Sequence, residues 1–76
     1  MGNGAEKKLQ QALLEARKKA NLSQVELALR LKRPQSFVSK YERGERRLDV
    51  IEFRQVAVAL GIDPIRLLRK LYEEIS

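Results

Sequence analysis

The sequence predicts an all-α fold of five helices, and three observations carry that prediction. Helix-start chemistry recurs along the chain, apolar residues return at helical spacing, and residues suited to a left-handed backbone stand where helical patterns stop. No stretch alternates as a strand would.

The first helix is expected over roughly Gly4 to Ala20, opened by Asn3 with Glu6, lined inward by Leu9, Leu13, Ala16 and Ala20, and stopped at Asn21. Residues 1–5 read as a loose N-terminus and residues 6–76 as one domain. The second helix, Gln24 to Leu31, follows a capping box in which Ser23 and Glu26 satisfy each other's backbone N–H groups, with Leu22 stapled to Leu27. Its inward residues are Leu27, Ala28 and Leu31. The third, Pro34 to Arg43, has the weakest start because Arg33 is a poor cap, so its leading N–H groups look outward to a partner, bridging water or solvent. Val38 and Tyr41 face inward and Gly44 stops it. The fourth, Val50 to Leu60, repeats the capping box with Asp49 and Glu52, buries Val50, Phe53, Val56, Ala57 and Leu60, and ends at Gly61. Asp63 and Pro64 open the fifth, which runs to Ile75 with Ile62 stapled to Leu67.

With 76 residues the chain is near the lower size limit for a domain that buries its own core. It has no Cys and no His, which removes thiolate nucleophiles, imidazole bases and the usual zinc ligands together. No metal or cofactor is expected. The carboxylates cap helices or pair with cations, so no convergent acid–base set suggests an enzyme. The longest apolar run, Val56 to Leu60, is far short of the roughly 20 residues a membrane span needs. No secretory pattern is seen, and a cytoplasmic setting is expected.

The formal charge is +6, and the stretch Lys32 to Arg47 alone holds six cations against two acids. That stretch contains the joint between the second and third helices, which is only Lys32 and Arg33. A joint so short cannot return the chain antiparallel, so the helices are expected to cross steeply as a helix-turn-helix over about residues 23–44. With Val38 and Tyr41 inward, rotation of about 100° per residue puts Ser36, Ser39, Lys40 and Arg43 on the opposite face. Short hydroxyls and cations with little apolar surface suit a polar, anionic partner.

Leu22-Ser23-Gln24, Leu27-Ala28, Gln35-Ser36, the run Val38 to Gly44, and Ala59-Leu60-Gly61-Ile62 together resemble the phage repressor and Cro type (Xre-like) helix-turn-helix family. The resemblance covers roughly residues 9–68 and implies a lambda-repressor-like DNA-binding domain, its helix-turn-helix formed by helices 2 and 3. It implies a transcriptional regulator of double-stranded DNA, with the second helix against the backbone and the third in the major groove. Residue by residue, it assigns base reading to Gln35, Ser36, Ser39 and Lys40, although Gln35 lies on the helix flank and Lys40 suits a phosphate equally. Gln24 becomes a phosphate anchor at a helix N-terminus. Arg43, Arg46 and Arg47 become backbone contacts. Phe37 is assigned to the DNA backbone, against a sugar or thymine methyl, with extension of the core edge as its alternative. Arg17 and Glu42 resemble the family's structural salt bridge. Lys32 departs from the family, standing where Gly is common, and Pro34 is an expected means of relieving positive φ there.

The last helix carries Ile65, Leu68, Tyr72 and Ile75 on one stripe with Leu67 and Leu71 beside it, so one stripe can close the core and the other meet a twin subunit. The resemblance implies a homodimer on a two-fold related operator. A different class of reading remains open: a protein-interaction module, such as an antitoxin, with Leu14, Val25 and Leu29 as apolar contact points.

Overall fold

A computed structural model describes the backbone of residues 3–75 and the side chains of residues 4–74. The helices are α1 (Asn3–Lys19), α2 (Gln24–Leu31), α3 (Gln35–Glu42), α4 (Val50–Ala59) and α5 (Pro64–Ile75), with no strand among the described residues. α1 therefore begins inside the stretch expected to be loose; Met1 and Gly2 lie outside the described residues.

The starts follow the local chemistry. Ser23 and Asp49 each accept from the backbone N–H three residues on, and Glu26 and Glu52 reciprocate, closing both capping boxes. Asp63 Oδ1 accepts from the N–H groups of Ile65 and Arg66 at 2.9 and 3.4 Å. α3 starts one residue later than expected: Pro34 is its N-cap, and no side chain caps it.

Four helix ends share one geometry. At α1 the Leu22 N–H donates to Arg17 O and the Asn21 N–H to Lys18 O, with Asn21 at φ 59°. The same pair of bonds closes α2 at Lys32 (φ 56°), α3 at Gly44 (φ 79°) and α4 at Gly61 (φ 76°). This left-handed termination satisfies carbonyls that the helix cannot. Lys32 does adopt positive φ, so Pro34 does not relieve that requirement. Instead it disfavours helical geometry at Arg33 and restricts where α2 can end.

Leu13, Leu27, Val38 and Val56 are the largest fully buried side chains, one from each of the first four helices, and Leu71 of α5 is also buried. Each stabilises by roughly 1.5–3 kcal/mol relative to exposure. α3 packs on α2 and α1, α4 on α2, and α5 on α1 and α4, so the second helix of the joint is held from behind. Two expected core residues are not in it. Ala20 lies in the turn after α1 and is exposed. Val50 is 71% exposed although it lies within about 20° of the buried Ala57 in helical phase, because as the first residue of α4 it stands beyond the part of that face that its neighbours cover.

Candidate nucleic-acid interface

α3 presents Gln35, Ser36 and Lys40 exposed and Ser39 half-buried, with Arg43 exposed at its end. The Ser39 hydroxyl donates to Ser36 O at 3.3 Å. Lys32, Arg33 and Arg47 are also exposed, which puts cations before and after the helix. Arg43 donates twice to Glu45 at 2.8 and 3.1 Å, a pair more than half exposed that holds the Glu45 carboxyl below its ordinary range. Arg47 pairs with Glu6 of α1 at 2.7 Å while remaining 86% exposed.

Behind this face lies a polar chain across three helices. Arg17 of α1 donates to Glu42 through Nε at 2.7 Å and Nη2 at 3.2 Å, and through Nη1 to Leu22 O at 2.8 Å. Gln24 Nε2 donates to Glu42 Oε1 at 2.8 Å, and Gln24 Oε1 accepts from Gln35 Nε2 at 3.3 Å. The side chains of Arg17 and Glu42 are only 11% and 5% exposed.

Phe37, expected at the DNA backbone with the core edge as its alternative, is buried, edge-to-face against Tyr41 at 5.6 Å between ring centroids. The reason is a cover of cations, since the guanidinium carbons of Arg33 and Arg46 lie 4.5 and 4.8 Å from its centroid. Both arginines also meet Glu52. Arg46 does so through two bonds of 2.9 and 2.7 Å, Arg33 at 3.5 Å. Arg46, expected to contact phosphate, thus spends its guanidinium on Glu52 and on Arg47 O. These bonds, with the Asp49 N–H, pull the Glu52 carboxyl down to about 2. Arg33 and Glu52 are not among the expected site residues; Arg33 precedes the Pro34 N-cap and reaches Phe37 from outside α3, so helical spacing carries no sign of the contact. Burial pushes the Tyr41 phenol up, with Glu42 adding and Arg17 opposing, and its hydroxyl has no hydrogen-bond partner among the described residues.

Residues 13–67 match the model of a family described as helix-turn-helix. A solved XRE-family-like protein from Pseudomonas syringae pv. tomato is 53% identical, over 97% of this chain and 90% of that one, with a TM-score of 0.94. The chain belongs to the XRE-like helix-turn-helix family. Members of this family are DNA-binding transcriptional regulators. The restriction-modification controller protein C.AhdI from Aeromonas hydrophila is 33% identical over 87% of this chain and 96% of its own, at a TM-score of 0.77. The controller protein C.Esp1396I is 20% identical over 93% of each chain at a TM-score of 0.82, a likeness of fold alone. No match is found among curated proteins.

Against this XRE-like frame, α2 and α3 are the two helices of the motif. Ile65 and Tyr72 are 62% and 64% exposed on α5, and with Leu68, Arg69 and Glu73 they line a shallow apolar depression. Leu71 is buried, and Leu67 and Leu68 are both half-buried against the core, so Leu68 of the outer stripe is shared with it while Ile65 and Tyr72 are not. The Ile75 side chain lies outside the described residues. Ile51 and Val58 on α4, not singled out beforehand, are 63% and 57% exposed. Their seven-residue spacing places both on one side of α4. Among the described residues no helix is long and apolar enough to cross a membrane.

Proposed function

We propose that this XRE-like regulator binds a specific double-stranded DNA operator as a homodimer, in the cytoplasm and without cofactor or catalysis, by placing α3 in the major groove. The observation that carries this reading is the outward face of α3, where Gln35, Ser36, Ser39 and Lys40 stand between flanking cations with no large apolar side chain exposed among them. Gln can pair with adenine, Ser with several base edges, and Lys with guanine O6 and N7. Gln24 uses one amide hydrogen on Glu42 and retains the other for a phosphate at the α2 N-terminus, where the helix dipole favours an anion. Arg43 and Arg47 sit in exposed ion pairs that exchange readily for phosphate contacts. Arg46 and Phe37 support the helix from beneath.

Selection of binding sites from random duplexes tests this. An enriched, two-fold related motif is expected, with a slope of log K against log salt of about −4 per subunit if each neutralises about four phosphates. Absence of any enriched motif, with co-purification of a neighbour-encoded protein, would favour the protein-interaction reading in which Val25 and Leu29, 49% and 73% exposed, meet a partner.

A further inference from the structure

We propose that Glu42 is a positioning residue for base recognition, fixing the polarity of the Gln24–Gln35 amide chain so that Gln35 selects adenine over guanine. This rests on the reading above that Gln35 contacts a base.

The argument starts from what a carboxylate can do. Glu42 offers acceptors only, so the end of the Gln24 amide that lies 2.8 Å from its Oε1 has to be the NH2 group. The amide is planar with its oxygen on the other side, and that oxygen is the atom 3.3 Å from Gln35. Gln35 has to answer an acceptor with a donor, so it turns one N–H inward. Left facing outward are its Oε1 and its second N–H. That acceptor–donor pair matches adenine, whose N6–H donates and N7 accepts. With the Gln35 amide reversed, the order along that edge is inverted: an N–H would meet the N6–H donor of adenine and the oxygen its N7 acceptor, so the adenine match is lost while guanine O6 gains a donor.

Glu42 can impose this order because it is itself held. Two bonds from Arg17, which is anchored in turn on Leu22 O, fix a carboxylate that is almost wholly buried. The Gln24–Gln35 contact is the long and exposed link in the chain. Duplex DNA seated over it removes the competing water, which strengthens the link when base selection occurs.

The test is binding-site selection with the wild type and three variants, each checked for helicity by circular dichroism. Gln35→Ala identifies the base position Gln35 reads. At that position the wild type is expected to prefer adenine to guanine by about 5- to 150-fold, the range for a bidentate pair. Glu42→Gln, a neutral isostere that no longer forces the order, is expected to cut that ratio about five-fold or more, leaving other positions intact. Should Glu42→Gln fail to fold, Gln24→Lys decides: it keeps a donor for Glu42 and a cation for phosphate but has no acceptor for Gln35, so the same ratio is expected to fall. A wild-type preference for guanine there, or a ratio retained in the folded deciding variant while Gln35→Ala relaxes it, overturns the proposal and leaves base reading by Gln35 standing. If Gln35→Ala changes no position, base reading by Gln35 fails and the proposal falls with it.

Discussion

Glu42 and Glu45, three residues apart, hold arginines in opposite surroundings, and the difference sets what each is worth. The Arg17–Glu42 pair is 11% and 5% exposed, whereas Arg43–Glu45 is 58% and 54% exposed. Removing one partner of a buried pair strands the other charge and costs about 3–5 kcal/mol, while exposed pairs contribute about 0–1 kcal/mol. Thermal or urea unfolding of Glu42→Ala should therefore show a loss of about 3–5 kcal/mol against less than about 1 kcal/mol for Glu45→Ala, and equal losses would contradict the assignment. Glu52 adds a pH dependence. Its carboxyl is lowered from 4.5 to about 2, chiefly by its bonds with Arg46, so the stability it supplies is complete above about 4.5 and disappears as pH falls through about 2. In melts between about pH 2 and 7, the Tm gap between wild type and Glu52→Gln should hold steady above about pH 5 and narrow toward pH 2. Glu26 and Glu45 are also lowered but titrate alike in both proteins, so they cancel in the gap. A gap independent of pH would rule this out. The same cluster shows where single-residue reading of the site stops. Helical phase found the outward Ser36, Lys40 and Arg43, but Phe37 sits at the edge of that phase, and what buries it is Arg46 from beyond the helix. Glu52 looked complete as a capping residue, and local spacing contains no sign that two arginines would also converge on it.

At the scale of the elements, the starts of α2, α4 and α5 were legible because a capping side chain and its target are two or three residues apart, so their chemistry is local; α3 has no side-chain cap and starts one residue later than expected. Three of the four stops were legible for a similar reason, since Asn and Gly tolerate left-handed geometry. Lys32 was not, because its side chain has no preference that announces positive φ. The joint nevertheless needs that conformation, and a residue with a Cβ strains there by about 1–2 kcal/mol. Lys32→Gly, measured at high salt where loss of one charge counts least, should raise stability by about 0.5–1 kcal/mol, or about 2–8 °C in Tm for a domain of this size. No rise would show that the joint is not strained. The converse substitution separates strain from crowding. Gly44 and Gly61 share positive φ, but a Cβ at Gly44 would run into the Gln10 amide, which also donates to Tyr41 O at 3.4 Å, whereas nothing lies within 4 Å of a Cβ at Gly61. The Gln10 amide is the end of a flexible side chain and can swing aside, so Gly44→Ala should destabilise more than Gly61→Ala only by the loss of that hydrogen bond, about 0.5–1.5 kcal/mol in the same unfolding assay. Burial at element ends was the least legible feature, as Val50 and Ala20 show: helical period gives a face, but only the packed neighbours decide how far along the helix that face is covered.

For the whole molecule, the distribution of surface chemistry argues for two separate engagements. Five of the seven large hydrophobics exposed among the described residues, Val50, Ile51, Val58, Ile65 and Tyr72, lie on α4 and α5, which pack against each other. None lies on α3. A chain of 76 residues has a small core, so the apolar depression on α5 lined by Ile65, Leu68 and Tyr72 is a surface on which a second subunit would add stability. A second copy also supplies what one recognition helix cannot, a second half-site about one helical turn away. Ile65→Glu and Tyr72→Glu place a charge on that surface without touching α3, and because both side chains are more than 60% exposed the monomer should keep its helicity. Sedimentation at tens of micromolar should then show a dimer for the wild type and a monomer for each variant. The salt slope of operator binding should fall with it, from about −8 toward about −4, since half the phosphate contacts leave with the second subunit. A wild type that sediments only as monomer at high micromolar concentration, or variants that keep the full slope, would place the contribution of α5 in the core alone.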